Sequence, residues 1–122
     1  MIEENLDKWW AYAEDDPQRN VREPTRSRLN SYFVVGWKRK QSMEFLLKLA
    51  ELMIFDPSSP KKQEANVSTL CHSALHFYTD KEGLHQYVSG ITALLDRLES
   101  EMGDDGFDLK KYRKKLNRFN AN

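Results

Sequence analysis

The chain has 122 residues, 39% of them hydrophobic and 31% charged, and its 19 basic and 19 acidic side chains give a formal net charge of zero. That describes one all-α domain over residues 1–122, a charged and soluble bundle large enough to bury roughly two thirds of its unfolded surface. It excludes a membrane-spanning protein, since no run approaches the ~20 apolar residues of a crossing helix, and a neutral balance argues against indiscriminate coating of nucleic acid.

The opening residues MIEENLDKWW are acidic where a secretion signal is basic, which predicts a cytoplasmic protein. Ile2, Leu6, Trp9, Trp10 and Ala13 recur at helical spacing, and the helix they define stops at Asp15-Asp16-Pro17. Adjacent tryptophans cannot share one face, so one anchors the core and the other covers a junction or stays part-exposed. Residues 18–23 form a polar connector, and Pro24 is suited to open the next helix because its missing N–H is not needed in a first turn.

The longest apolar stretch, Ser31 to Phe55, reads as a central helix, either continuous or bent near Gly36. Tyr32, Val35, Gly36, Met43, Leu46, Leu47, Ala50, Met53 and Ile54 share a broad stripe. Phe33, Val34, Trp37, Phe45 and Leu52 lie off it, so neighbours on several sides are needed to cover the segment. Lys38, Arg39 and Lys40 interrupt this apolar run, with Arg39 close to the stripe. An arginine there needs a carboxylate if buried, or a route to the surface. Gly36 is placed to let another helix approach.

Asp56-Pro57-Ser58-Ser59-Pro60 is the clearest break. From Gln63 to Thr79 the residues Val67, Leu70, Cys71, Ala74, Leu75 and Tyr78 make a core face. Leu84, Tyr87, Val88, Ile91, Leu94, Leu95, Leu98 and Met102 make another, and the short join between them predicts an antiparallel hairpin. Residues 103–106 stop that helix, and Asp108 is placed to cap a last one with apolar positions Leu109, Tyr112, Leu116 and Phe119. No segment alternates with strand periodicity. The expected fold is a single compact bundle of about five helices.

Three histidines raise the question of a metal site. His72 and His76 lie one helical turn apart and His85 follows across the hairpin, yet there is no HExxH pattern and no second cysteine, so no metal or other cofactor is expected. Asp104-Asp105-Gly106-Phe107-Asp108 lacks the ligand order and closing glutamate of a calcium loop and reads as a turn and cap. Cys71, on the apolar face, is expected to be buried and inert. The lone cysteine excludes an internal disulfide and suits a reducing compartment. Asn66-Val67-Ser68 matches a glycosylation pattern that has no meaning without secretion. No phosphate-binding glycine loop and no nucleophile elbow occur, and nothing in the sequence argues for an enzyme.

Charge is distributed in blocks. Residues 1–16 carry six anions and one cation, residues 17–40 seven cations and one anion, and residues 107–122 six cations and one anion. In the last helix Lys111, Lys114, Lys115 and Arg118 lie opposite the apolar stripe, flanked by Lys110 and Arg113. Arg19, Arg22, Arg26 and Arg28 form a second set, and Lys38, Arg39 and Lys40 a third. A row of this kind is either a solvated face, helped by the helix dipole near a C-terminus, or a track for phosphates that releases counterions on binding. Three such blocks against an acidic remainder predict a polarised binding surface.

With its basic stretch Arg26-Ser27-Arg28-Leu29-Asn30-Ser31-Tyr32-Phe33-Val34-Val35-Gly36-Trp37-Lys38-Arg39-Lys40 and its cationic last helix, the chain resembles in architecture the small subunits of CRISPR effector complexes. The resemblance implies a non-catalytic component of a ribonucleoprotein in antiviral defense. Such subunits steady a guide RNA–target duplex or a displaced DNA strand beside neighbouring protein subunits, further copies of themselves among them. The residues expected to meet the nucleic-acid backbone are Arg22, Arg26, Arg28, Lys38, Arg39, Lys40, Lys110, Lys111, Arg113, Lys114, Lys115 and Arg118. The competing expectation is an acidic protein–protein module, such as a phage inhibitor or immunity protein. Recognition would then lie in Glu3, Glu4, Asp7, Glu14, Asp15 and Asp16, or in the acidic cluster of residues 96–105.

Overall fold

In a computed structural model the described residues are 29–38, 40–77 and 79–120. They form five α-helices and no strand: α1 (Leu29–Lys38), α2 (Met43–Phe55), α3 (Pro60–His72), α4 (Lys81–Met102) and α5 (Lys110–Asn120). A 3-10 turn over Ser73–Phe77 joins α3 to α4. The all-α expectation holds, and no described helix is long and apolar enough to cross a membrane. The expected first helix, with Trp9 and Trp10, lies outside the described residues.

The segment read as one central helix is two. Lys40 N–H donates to the Trp37 carbonyl and Gln41 N–H to the Gly36 carbonyl, each at 3.0 Å. These are the paired bonds of a Schellman turn, whose left-handed position glycine normally fills. Here Lys40 adopts it, with φ 58°. Ser42 then caps α2 by accepting the Phe45 N–H at 3.1 Å. Each half therefore buries its own face, which is why Phe33, off the common stripe, is fully buried.

α2 packs against α1, α3 and α4, and α5 lies across α3 and α4. One apolar cluster runs through all five helices, from Leu29 to Leu116; each fully buried leucine or isoleucine in it contributes about 1.5–3 kcal/mol. At its centre Tyr87 stacks on Phe77 with ring centroids 4.7 Å apart and donates its hydroxyl to the Leu70 carbonyl. A close helix approach falls at Gly90, where a Cβ would lie 2.6 Å from Leu47 Cδ1.

The last carbonyls of α2, orphaned by the helix end, are met from α3. Asn66 Nδ2 donates to Met53 O at 2.9 Å and Gln63 Nε2 to Ile54 O at 2.8 Å. Asn66 is thus buried and engaged, closed to glycosylation in the folded chain.

Leu75, expected on the core face, is instead 49% exposed. The change from α-helix to 3-10 turn after His72 advances each residue by about 120° rather than 100°. Phe77 is carried inward and Leu75 outward. Tyr78 lies outside the described residues.

Candidate nucleic-acid interface

Helix α5 begins where Asp108 accepts the Lys110 N–H at 2.9 Å. Leu109, Tyr112 and Leu116 are buried against α3 and α4, while Lys110, Lys111, Lys114, Lys115 and Arg118 are exposed. The helix contains six cations and no anion. Its apolar stripe thus fixes which way the cationic face points.

That face has two parts. Arg113, only 25% exposed, reaches Asp96 at 2.8 Å and Glu99 at 3.2 Å, and so fastens α5 along α4. Lys111 lies 3.5 Å from Glu64, which also accepts the Tyr112 hydroxyl at 2.6 Å. The Tyr112 oxygen, and after it Glu64, hold the Lys111 ammonium above its ordinary pKa. Lys110, Lys114, Lys115 and Arg118 make no side-chain ion pair among the described residues. Of the six, Arg113 and Lys111 are engaged internally and four are presented.

Helix-dipole stabilisation does not account for this arrangement. It favours cations in a last turn, and only Arg118 lies there. Lys110 and Lys111 occupy the first turn, where the dipole opposes them.

The same local conflict recurs on α3. Lys61 and Lys62 are exposed in its first turn, which contains no acidic residue. Lys61 sits one turn before Glu64, hence close to the side that meets Lys111. These two exposed lysines were missed in the sequence, hidden in a net-acidic block, and of the two only Lys61 lies toward the Glu64 side of α3. Their signal was the lysine pair directly after a helix-starting Ser-Pro, where acidic residues are preferred.

Lys38 and Lys40 stand elsewhere. They border an open recess of about 910 Å³, whereas Lys110, Lys111, Arg113 and Lys114 border another of about 520 Å³. The two share no lining residue. In the larger recess Trp37 and His76 pair with ring centroids 3.9 Å apart. Burial, then His72 and Lys38, push the His76 pKa below its ordinary value. Arg22, Arg26, Arg28 and Arg39, the remaining expected contacts, lie outside the described residues, as does the acidic set of residues 1–16.

Among the described residues no three of His, Cys, Asp and Glu converge as metal ligands would. Cys71 is buried, and desolvation pushes its thiol up to about 12 against the smaller pull of Lys115 and Arg113. Family models, curated proteins and solved structures were all compared with the chain, and none matches.

Proposed function

We propose that this chain is a non-catalytic small subunit of a ribonucleoprotein effector complex of the CRISPR type, working in the cytoplasm and binding nucleic-acid backbone through α5. The observation that carries the reading is the set Lys110, Lys114, Lys115 and Arg118. These cations stand on a helix without anions, and no acidic partner among the described residues engages them. Their chemistry suits phosphate: point charges and one guanidinium along a rigid helix, able to displace condensed counterions without reading bases. Lys61, on the Glu64 side of α3, adds a cation near Lys111, and Lys38 and Lys40 give a second point of contact. The partners are a guide RNA–target duplex or a displaced DNA strand, together with neighbouring protein subunits. In the acidic cluster of residues 96–105, Asp96, Glu99 and Glu101 pair with Arg113 and Arg97, which lessens the negative charge an acidic recognition module would present there.

Gel-shift titration with single-stranded, duplex and RNA–DNA hybrid probes tests the proposal. Retention of probes regardless of sequence is the expected result. No retention of any probe at low salt would end it.

A further inference from the structure

The larger recess combines features that a backbone track does not need. Trp37, from the end of α1, and His76, from the 3-10 turn, pair in a tilted arrangement with their ring planes 32° apart. His76 is exposed and lines the recess, so its ring, paired on one side with Trp37, is accessible from the recess. Beside it stand Lys38 and Lys40, neither in an ion pair among the described residues. Lys40 is held at the rim by a left-handed backbone, in which the Cβ of a lysine crowds the neighbouring carbonyl. Retained strain of this kind concentrates at binding sites. From the first turns of α4 come Glu82 and Gln86, both exposed acceptors that line the recess.

We propose that this recess binds a nucleoside phosphate: the base extends the Trp37–His76 pair, the phosphate lies between Lys38 and Lys40, and the base's amino group faces Glu82 and Gln86. Every base has a π-face to offer, and stacking on an aromatic side chain is sequence-tolerant. The placement of charge supplies the orientation. Cations on the α1 side draw the phosphate, while two carboxylates on the α4 side, Glu82 and the capping Asp80, repel it, and Glu82 accepts from an exocyclic amine. Adenine and cytosine are therefore preferred to uracil and thymine. The volume of about 910 Å³ is within the range of small-molecule sites. The ligand is either a free nucleotide or an unpaired residue of a strand.

The test follows the imidazole C–H signals of His76 by NMR, assigned with His76→Ala, in the full chain. Adenosine monophosphate is expected to shift them upfield by ring current, with saturation. Adenosine, lacking the phosphate, and Lys38→Gln/Lys40→Gln protein should each bind at least about tenfold more weakly. Uridine monophosphate should bind more weakly than adenosine monophosphate. A short unpaired oligoadenylate that shifts His76 as the mononucleotide does assigns the site to strands. A response to the mononucleotide alone assigns it to free nucleotide. No movement of His76 at millimolar nucleotide, or equal movement with inorganic phosphate, overturns the proposal. The outcome is separable from that of the backbone reading: His76→Ala should leave blunt-duplex retention unchanged, and either result can stand without the other.

Discussion

Arg113 Nη1 stands 2.8 Å from Asp96 Oδ1, while its Nη2 reaches Glu99, three residues further along α4, at 3.2 Å. A planar guanidinium matched to two carboxylates on neighbouring turns sets the register of α5 against α4. It thereby decides which lysines are left to face outward. Arg113→Met is expected to lower the unfolding free energy by about 1 kcal/mol, the small size following from the exposure of both carboxylates. Lys114→Gln should stay within about 0.5 kcal/mol of the parent. Urea midpoints at constant m-value decide between them.

Lys40→Gly should raise stability by about 1 kcal/mol, because glycine takes the left-handed position of a Schellman turn without steric penalty. Thermal unfolding gives the check. A stabilised variant that also binds nucleotide less well would show that lysine is kept there for its charge.

Asn66→Ala leaves the Met53 carbonyl buried without its donor and should lower stability by about 1–3 kcal/mol. Gln63→Ala, at a part-buried bond to Ile54, should have a smaller effect. Denaturant unfolding of the two variants ranks them.

The Cys71 thiol ordinarily titrates near 9.0 and in the fold only near about 12. Between those values the unfolded chain releases a proton that the folded chain keeps, so stability falls as pH rises through that window. Tyr87, pushed well above 10.0 by burial, acts in the same direction. Cys71→Ala should flatten the part of the decline that begins near pH 9. In the parent protein, iodoacetamide at pH 8 should leave Cys71 unmodified until urea is added. His76 has the opposite sense: its folded pKa lies below 6.5, so stability is lost as pH falls below that value, and His76→Ala should remove this loss.

What the sequence disclosed is the part governed by local periodicity. Leu109, Tyr112 and Leu116 marked the buried stripe of α5, Asp108 its start, and Tyr87 to Leu98 the inner face of α4. The break after Lys38 escaped because a Schellman turn usually announces itself with glycine, and here the position holds Lys40. Ser42, three residues before Phe45, was the available sign. Leu75 was misplaced because a change of helical pitch leaves no mark in apolar spacing. Which cations are free was not legible. Helical spacing set Arg113 beside the apolar stripe and Lys114 opposite it, but that α4 brings Asp96 and Glu99 to Arg113 is decided by tertiary packing. The Trp37–His76 pair is hidden for the same reason.

The central claim is that α5 presents cations to phosphate. Its most direct measurement is the salt dependence of duplex affinity for the parent and for Lys114→Glu/Lys115→Glu/Arg118→Glu. The parent should show a steep linear fall of log affinity with log salt. The variant's slope should be shallower by about 0.9 for each phosphate it no longer neutralises, with weakening uniform across sequences. A parent affinity insensitive to salt, or a variant with the parent's slope and affinity, would contradict it.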